Sequence, residues 1–448
     1  MKRLFDLLEQ INPYKILICA GNRNAPLLDT LKHWDCEYHW DERSAAFMAI
    51  GMMKVVKRPV VICTTSGTAV AECLPAMIEA FYSDEKLVVL SADRPSRLRN
   101  SRAPQAIDQT QIFSSFNTCS YSGPVENVSI PQISFPMHLN VEIDDIETNY
   151  ECVHEKIDFE EFKSLFEKSL APMTVHSGGD VNILRDLQKS GSRIFIEASD
   201  NITQLSNVGH IRYEKTLINL LNEDKVDLII KLGNTTPSTK AWRLLDTKFG
   251  HIPVVSIGSD FSGVGRALVL KNYDFNQLDH KESYEIEEAS LDPLLAKYPK
   301  SEPAIINNIQ NKISSDEIVF LGNSMPIRYW QLVSRFNHKI YYNRGANGID
   351  GLLATAMGVA KESSKVVNLI IGDLSLLYDS NNLWSEKFPE NLKVHCINNG
   401  GGQIFKRVKA PSELITPHRF RFENLPFVTE YIPDNNQTEK FWDDWNSL

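Results

Sequence analysis

The sequence lacks long apolar runs and ordered cysteine spacing. None of its apolar stretches is long enough to span a bilayer, and the segment after Met1 carries no signal-peptide cleavage pattern. Its seven cysteines are odd in number, scattered and without CxxC spacing, so neither a disulfide framework nor a zinc site is indicated. We therefore expect a cytoplasmic protein with no stable membrane insertion.

An excess of positive charge is also missing. Lysine and arginine total 47 against 57 aspartates and glutamates, which gives a formal net charge of −10. Proteins that bind nucleic acid or anionic membranes usually concentrate positive charge, so we expect no nucleic-acid partner. Local arginines can still bind a small acid, and small-molecule substrates are the expected partners.

The sequence does contain a regular alternation of apolar strands with helical segments. At 448 residues and 42% hydrophobic, it is long enough for several domains with sizeable cores. Such alternation is typical of parallel α/β layers, so the expected fold class is α/β, with parallel sheets flanked by helices. The predicted strands are 16–20, 60–64, 87–91, 137–143, 193–196, 226–232, 254–257, 318–321, 340–342, 366–371 and 392–397, and the predicted helices include 44–56 and 69–80.

Two polar stretches divide this alternation into three α/β units. Residues 144–170 are acidic, which predicts a linker followed by an exposed helix. The charged stretch 279–300 ends in a segment with two prolines, 298–303, that predicts a second boundary. The predicted domains are therefore 1–150, 175–298 and 303–448.

The last unit places carboxylate and amide side chains at the ends of two predicted strands. The run 366–371 ends in Gly372-Asp373, which puts a carboxylate at the carboxyl edge of the sheet, where α/β folds bind ligands. Strand 392–397 leads to Asn398-Asn399 and then to Gly400-Gly401-Gly402, which offer an amide oxygen and a backbone that can approach a phosphate. A site for Mg²⁺ and a diphosphate is predicted. The alternative is that Asp373 caps the next helix and the glycines form a turn.

This arrangement resembles the thiamine diphosphate (ThDP) motif, in which a Gly-Asp pair and a later asparagine hold the metal that binds the cofactor. The resemblance implies ThDP and Mg²⁺ as cofactors. It implies Asp373, Asn399 and the carbonyl of Gly401 as metal ligands, and it assigns Gly372 and Ser375 to the cofactor site.

A second carboxylate, Glu42, lies between a short predicted strand and a predicted helix in the first unit. ThDP needs a carboxylate on its aminopyrimidine ring, where a shared proton promotes the imino tautomer that deprotonates the thiazolium carbon. A carboxyl in an apolar pocket would keep that proton available. We expect Glu42 to be the catalytic residue. The alternative is an exposed residue of the first helical turn, favoured there by the helix dipole.

Longer segments extend the resemblance to one family, the 2-succinyl-5-enolpyruvyl-6-hydroxy-3-cyclohexene-1-carboxylate synthases of menaquinone biosynthesis. Matching is dense in the first and last thirds, and the middle third matches mainly at KLGNTTPSTK, 231–240. The resemblance implies a three-domain ThDP fold with a pyrimidine-binding first domain, a central domain, and a diphosphate- and metal-binding last domain. The other segments are WDERSAAF (40–47), TSGTAVAE (65–72), SADRP (91–95), QAIDQ (105–109), LGNSMPIR (321–328), NRGANGIDG (343–351), GDLSLLYD (372–379) and NNGGGQIF (398–405).

The resemblance further implies a carbon–carbon bond-forming transferase. Family members decarboxylate 2-oxoglutarate on ThDP and add the resulting succinyl carbanion equivalent to isochorismate. Both substrates are polyanions, and the planar fork of arginine suits carboxylates. Taken singly, such cations are more often surface charges or ion-pair partners, whereas their grouping at strand ends favours a site. By motif position, the substrate-binding residues are Arg23, Arg94, Gln105, Lys240, Asn323, Ser324, Arg328 and Arg344.

Apolar residues complete the implied site. Ile349 resembles the wedge that holds ThDP bent, and Ile404 and Phe405 resemble the apolar wall of the active site, where Phe405 contacts substrate. Ordinary core packing is the alternative for all three.

The sequence departs from the family pattern beside the acceptor pocket. Asn22 stands in Gly21-Asn22-Arg23 where the family has GSR, and Pro104 stands in Arg102-Ala103-Pro104-Gln105 where it has GANQ. The lid and final strand expected after Phe405 are compressed into 406–448, in which 439–445 is expected to be helical. Acceptor identity and site closure therefore stay open.

Three readings follow from these observations. The favoured one is the synthase. The first alternative is another ThDP-dependent 2-oxoacid decarboxylase or carboligase with a different acceptor, and the second is a non-catalytic ThDP-fold subunit. In the family, the carboxylate of the first domain and the metal site of the last meet across a subunit interface, so a homodimer or homotetramer is expected.

Overall fold

The computed structural model describes most of the chain and shows three sheets whose strands pair in parallel. The described residues are 1–21, 23–94, 107–143, 159–177, 180–196, 210–211, 213–233, 239–246, 248–257, 268–270, 290–334, 338–407 and 412–447. Two compact units contain them. The first consists of described residues within 1–154 together with Gly345–Val367 and Ser375–Leu392, and the second of described residues within 155–344 together with Asn368–Leu374 and 393–448.

Strands and helices alternate along the chain. The strands are β1 (Lys15–Cys19), β2 (Cys36–His39), β3 (Val60–Thr64), β4 (Leu87–Asp93), β5 (Cys119–Pro124), β6 (Met137–Glu142), β7 (Pro172–Ser177), β8 (Arg193–Ile196), β9 (His210–Ile211), β10 (Leu228–Gly233), β11 (Val254–Ile257), β12 (Leu268–Leu270), β13 (Ile318–Leu321), β14 (Lys339–Tyr342), β15 (Val367–Gly372), β16 (Leu392–Ile397) and β17 (Val428–Tyr431). The helices are α1 (Lys2–Ile11), α2 (Leu28–Leu31), α3 (Glu42–Val56), α4 (Thr68–Glu72), α5 (Leu74–Tyr82), α6 (Phe159–Lys168), α7 (Val181–Lys189), α8 (Glu214–Asn222), α9 (Thr239–Asp246), α10 (Asp292–Lys297), α11 (Glu302–Gln310), α12 (Met325–Val333), α13 (Leu352–Lys361), α14 (Asp373–Tyr378), α15 (Ile404–Arg407) and α16 (Asn435–Ser447).

The first sheet forms the core of the first unit, in the order β2-β1-β3-β4-β6-β5. All residues of β3 and β4 are buried, as expected for parallel strands that are covered on both faces. The carboxyl ends of β1, β2 and β4, which precede Arg23, Glu42 and Arg94, therefore lie at one edge of this sheet. That edge receives the loops after β1, β2 and β4.

Helices α3 and α13 pack in unusually close contact within the first unit. A Cβ on Gly51 of α3 would lie 1.9 Å from the carbonyl oxygen of Thr355, and a Cβ on Gly358 of α13 would lie 2.1 Å from that of Met48. Only glycine permits these backbones to approach so closely. The contact fixes α3, which begins at Glu42, against α13.

The second unit contains the other two sheets. The middle sheet has the order β12-β11-β10-β7-β8-β9, and the last has the order β14-β13-β15-β16-β17. Gln331 of α12 donates from Nε2 to the carbonyl oxygen of Ile196 in β8 at 2.8 Å, which links the helix layer of the last sheet to the middle sheet. The C-terminal α16 packs Phe441 and Trp445 into the core of the last sheet.

The predicted elements agree with the structure in type, and most strand bounds agree within two residues. The predicted fold class, α/β with parallel sheets flanked by helices, is confirmed. Helix α3 begins at Glu42 rather than at residue 44 because Asp41 is its N-cap, accepting from the Ser44 amide at 2.9 Å. The predicted helix 69–80 is divided into α4 and α5 just before Pro75, at Cys73.

The predicted helix in the acidic stretch is present but is not exposed on all faces, and residues 144–158, where the predicted linker begins, lie outside the described residues. Helix α6 buries Phe162 and Phe166, which lie one turn apart and face the core of the middle sheet. Its acidic residues occupy the other faces. Strand β7 also enters the middle sheet at Pro172, before residue 175. The predicted domain bounds remain predictions.

Candidate functional site

Glu42 begins α3 after the short strand β2, and its side chain is half-buried. Burial raises the pKa of its carboxyl, and the negative charges of Asp41 and Glu72 raise it further. Glu42 in turn contributes to raising the thiol pKa of Cys73, although burial is the larger cause there. Sharing a proton with a pyrimidine nitrogen requires a carboxyl that keeps its proton more readily than it does in water.

Two predicted substrate cations belong to the first unit. Arg23 follows β1 in a loop that Asn24 holds, since Asn24 accepts from the Gly21 amide and donates to the Cys19 carbonyl. Arg94 follows β4, and its Nε is buried with no hydrogen-bond partner among the described residues. An orphaned guanidinium donor fits an acidic ligand. The third residue of this group, Gln105, lies outside the described residues, as do Asn22 and Pro104.

Ile349 lies half-buried in the loop before α13. The start of α13 is held by Asp379, whose carboxylate accepts from the Gly351 and Leu353 amides at 2.9 and 3.0 Å. Burial raises the pKa of Asp379 to about 6, although these backbone donors oppose the shift. Arg43, the residue after Glu42, lies 3.8 Å from Asp379. The first turn of α3 is thereby tied to the segment that carries Ile349.

Asp373 is the first residue of α14, at the carboxyl end of β15, and is buried. Its Oδ2 accepts from the Gly400 and Gly401 amides at 2.9 and 3.0 Å and from His418 Nε2 at 3.0 Å. Burial raises the pKa of this carboxyl, whereas the backbone donors and His418 oppose the shift. The Leu374 amide also donates to Oδ1, so Asp373 does cap the helix start, as the alternative interpretation held.

The glycine loop after β16 adopts a conformation that other residues disfavour. Gly400 and Gly401 have φ values of 79° and 138°. A Cβ on Gly401 would lie 2.5 Å from the carbonyl oxygen of Ile415. The loop therefore requires glycine in order to turn its amides onto Asp373.

Asn399 could contribute its side-chain oxygen to a metal ion beside the glycine loop. Its Nδ2 donates to Glu302 Oε1 at 3.1 Å, whereas its Oδ1 is buried without a partner among the described residues. The amide oxygens of Gln403 and Asn435 are orphaned in the same way, and both side chains donate to the carbonyl of Asn399. Oxygen atoms that lack donors are what a hard cation requires, so these residues fit Mg²⁺.

The remaining predicted cofactor residues are Gly372, Ser375 and Ile404, and Phe405 is a predicted substrate contact. A Cβ on Gly372 would meet no atom within 4 Å, so space is open at the strand end. Ser375 is buried in α14, and Ile404 and Phe405 are half-buried at the start of α15. Ile404 packs against the core of the last sheet, which supports the core-packing alternative for that residue.

The loop after β13 brings several predicted substrate residues together in the second unit. Arg344 donates to Asn323 Oδ1 at 3.2 Å, and both side chains are buried. Ser324 is the N-cap of α12, with φ of 68°, a conformation that costs energy outside glycine and is common at ligand sites. Arg328 donates to the carbonyl of Ser324.

Positive charge accumulates around Arg328. Burial lowers the pKa of Arg328, Arg407 lowers it further, and Glu214 opposes the shift. Lys240 is exposed on α9. Burial raises the pKa of Glu214, and Lys240 and Arg328 oppose that shift, which indicates that Glu214 lies near both cations. Glu302 and Glu214 both lie near Arg407 and partly offset the positive charge. The cations Arg328, Arg407 and Lys240 outnumber these two carboxylates, so the region suits an acidic ligand.

Sequence reasoning missed three residues of the second unit: Glu302, His418 and Arg407. Glu302 and His418 contact the predicted metal ligands directly. Arg407 lies with its guanidinium 3.6 Å from the ring centroid of Trp442 and its Nη1 3.7 Å from the sulfur of Met325. Ser301-Glu302-Pro303 has the pattern of a helix start, which concealed the role of Glu302, and the other two residues have no local signal.

Comparison with known proteins identifies the family. Residues 1–112 match the model of the thiamine pyrophosphate enzyme, N-terminal TPP binding domain. A 2-succinyl-5-enolpyruvyl-6-hydroxy-3-cyclohexene-1-carboxylate synthase of Bdellovibrio bacteriovorus is 32% identical over 97% of this chain and 96% of that protein. This chain belongs to the same synthase family. The family member from Akkermansia muciniphila is 29% identical over 95% of this chain and 94% of that protein.

Solved structures support the fold. Benzoylformate decarboxylase from Polynucleobacter necessarius superimposes with a TM-score of 0.65 at 14% identity, covering 98% of this chain and 91% of that one. A ThDP-dependent 4-hydroxybenzoylformate decarboxylase from Rhodococcus jostii gives a TM-score of 0.62 at 15% identity, covering 98% and 92%. The predicted three-domain ThDP fold is therefore confirmed.

Membership of the synthase family confirms two further predictions. The cofactor is ThDP, and the protein is a ThDP-dependent enzyme that forms carbon–carbon bonds. Among the residues that the structure describes, no helix is long and apolar enough to cross a membrane.

Proposed function

We propose that this enzyme decarboxylates 2-oxoglutarate and transfers the remaining succinyl unit to isochorismate, releasing CO₂ and giving 2-succinyl-5-enolpyruvyl-6-hydroxy-3-cyclohexene-1-carboxylate. The observation that carries the proposal is the 32% identity to a synthase of that name over nearly the whole of both chains. ThDP, when bound, would supply the nucleophilic carbon and the electron sink that decarboxylation of a 2-oxoacid needs.

The last domain would hold the metal and the diphosphate. Asp373, Asn399 and the carbonyl of Gly401 are the proposed Mg²⁺ ligands, and the bare Oδ1 of Asn399 supports this role. Gly372 and Ser375 would accommodate the diphosphate. We assign the pyrimidine-binding domain to 1–150, the central domain to 175–298 and the metal-binding domain to 303–448.

Glu42 would share a proton with the pyrimidine ring, and its raised pKa supports that assignment. Ile349 would hold the cofactor bent, with Ile404 and Phe405 as the apolar wall. An apolar wall strengthens electrostatic contacts because it excludes water.

The cations would divide between the two substrates. Asn323, Ser324, Arg328 and Arg344 would bind 2-oxoglutarate, and Arg23, Arg94, Gln105 and Lys240 would bind the cyclic acceptor. The orphaned Nε of Arg94 supports a role in binding an acid. The positive charges of Arg328 and Arg407 support the binding of the second carboxylate of 2-oxoglutarate.

Self-association is part of the proposal, as a homodimer or homotetramer. Four large aromatic side chains of the first unit are exposed by half or more: Tyr38, Trp40, Tyr378 and Trp384. Tyr38 and Trp40 line a groove beside the first turns of α3. Exposed apolar groups of this size support a protein interface, and a second copy of the chain is the proposed occupant.

The test supplies ThDP, Mg²⁺ and 2-oxoglutarate, with and without isochorismate, and identifies the products by mass spectrometry. We expect CO₂ release and a succinylated product that requires isochorismate. Decarboxylation of 2-oxoglutarate without use of isochorismate would point to a different acceptor, since Asn22 and Pro104 alter the sequence there. Cofactor binding without consumption of any 2-oxoacid would point to a non-catalytic subunit.

A further inference from the structure

Glu302 is an acidic residue that is buried in the second unit and held in a fixed position. It is 3% exposed and begins α11, whose N-cap Ser301 accepts from the Ala304 amide. The backbone amide of Glu302 donates to Thr438 Oγ1 at 3.1 Å. The carboxyl is therefore presented from a fixed helix start, and its Oε1 accepts from Asn399 Nδ2.

Two side chains hold the backbone of Asn399 in place. Its carbonyl accepts from Gln403 Nε2 at 3.3 Å and from Asn435 Nδ2 at 3.0 Å. What remains variable is the rotation of the terminal amide, which can present either its oxygen or its NH₂ group in a given direction. A cation needs the oxygen.

A carboxyl beside the amide decides between the two orientations. Because a carboxylate only accepts hydrogen bonds, it binds the NH₂ group and leaves the amide oxygen free. The structure shows this result, since Asn399 Oδ1 has no partner among the described residues. A donor in place of Glu302 would favour the opposite orientation.

We propose that Glu302 is the positioning residue of the metal site, which holds the Asn399 amide so that its oxygen faces Mg²⁺. This inference rests on the proposed metal ligands. It assigns a function to a buried carboxyl that the reaction itself does not use. Groups that orient metal ligands typically change metal affinity by roughly 10–100-fold when they are removed.

The neighbouring Asn398 provides a matched control. Its Nδ2 donates to Glu430 Oε1 at 2.6 Å, so the same pair of groups occurs one residue away without a proposed metal ligand. Glu430→Ala removes a carboxyl of the same unit and tests whether any such loss disturbs the site.

The measurement is the Mg²⁺ concentration that half-saturates ThDP binding, determined by calorimetry for the full chain. We expect roughly a 10–100-fold increase for Glu302→Ala. An intermediate increase is expected for Glu302→Gln, because its amide can either accept from the Asn399 NH₂ group or donate to the Asn399 oxygen. Little change is expected for Glu430→Ala. At saturating Mg²⁺, the ThDP affinity of Glu302→Ala should return towards that of the unaltered protein.

Asp373→Ala separates this inference from the site on which it rests. If Asp373→Ala retains Mg²⁺-dependent ThDP binding, the metal site and the role of Glu302 both fall. If Asp373→Ala loses that binding, the metal site stands, and the Glu302 variants decide. Unchanged half-saturation in Glu302→Ala, or an equal increase in Glu302→Gln or Glu430→Ala, would then overturn the positioning role alone.

Discussion

At the residue scale, Glu42 experiences two opposing influences. As the first residue of α3 it lies at the positive end of a helix dipole, which favours the carboxylate. Burial disfavours the carboxylate, and the pKa of Glu42 is raised, so burial outweighs the dipole. The alternative interpretation is therefore right about the first helical turn and wrong about exposure, and the catalytic role of Glu42 stays a prediction.

We predict that Glu42→Gln keeps the fold and much of the ThDP affinity but slows exchange of the thiazolium C2 hydrogen. The physical reason is that an amide cannot share the carboxyl proton with the pyrimidine ring. We expect the exchange rate to fall by about 10²–10⁴-fold. The rate is measured by NMR on samples that have exchanged in deuterated buffer and are then quenched with acid. Glu9→Gln is the control, since Glu9 is exposed on α1. Unaltered exchange in Glu42→Gln would remove the catalytic assignment.

His138 connects a single buried residue to the pH dependence of stability. Its Nε2 lies 2.8 Å from Ser91 Oγ, and burial lowers its pKa to about 3 from the ordinary value of 6.5. Between these pH values the unfolded chain binds a proton that the folded chain does not. Stability is therefore retained above pH 6.5 and lost progressively as the pH falls towards 3.

We predict that His138→Gln reduces the fall in melting temperature between pH 6.5 and pH 5. The contribution of one such group is about 1.4 kcal/mol per pH unit at most. Thermal denaturation of the apo protein at a series of pH values measures it. The exposed His251→Gln should leave the slope unchanged. The same slope in His138→Gln and the unaltered chain would show that His138 is not the group responsible.

At the element scale, the contact between α3 and α13 depends on two glycines that oppose backbone atoms. The pairing places the helix of Glu42 beside the helix that follows Ile349, so the geometry of the predicted catalytic residue depends on a packing contact distant from it in the sequence. A larger side chain at either glycine would force the two helices apart.

We predict that Gly51→Ala destabilises the protein by about 1–3 kcal/mol or more, because the new Cβ would meet the Thr355 carbonyl oxygen at 1.9 Å. Urea denaturation measures the loss. Gly372→Ala is the matched control, since its Cβ would meet no atom within 4 Å. It should keep the apo stability but weaken ThDP binding. Equal stability of the two variants would contradict the close packing of α3 and α13.

The sequence predicted the helices and strands better than it predicted the contacts between distant segments of the chain. Asp373 and Asn399 were chosen as predicted metal ligands because strand ends and glycine runs are local signals. The contacts of Glu302 and His418 with those ligands were not recognised, because they join segments far apart in the chain. The burial of α6 was missed although the i, i+4 spacing of Phe162 and Phe166 carried it, since the acidic composition was given more weight.

At the scale of the whole molecule, the predicted catalytic carboxylate and the predicted metal ligands belong to different compact units of the chain. The family resemblance predicts that Glu42 of one chain acts with Asp373 of its partner. The exposed aromatic residues of the first unit support an assembly of at least two copies.

We predict that a mixture of Glu42→Gln and Asp373→Ala chains regains activity that neither variant has alone. Subunit exchange would bring an intact Glu42 and an intact Asp373 to the same site in part of the mixed dimers. Light scattering and turnover, measured before and after a cycle of dissociation and reassociation, test this. A fully active monomer, or no recovery in a mixture shown to contain mixed dimers, would contradict a shared site.

The glycine contact between α3 and α13 has a consequence for directed evolution of this enzyme. Since the atoms that oppose Gly51 and Gly358 are backbone carbonyls, no replacement of a partner side chain makes room for a larger residue. Random libraries that include these two positions will therefore contain many destabilised clones, and compensating second-site changes should be scarce. Diversity aimed at a new acceptor is better confined to positions such as the loop of Arg23 and the exposed start of α9 at Lys240, where a change of side chain does not require two helices to move.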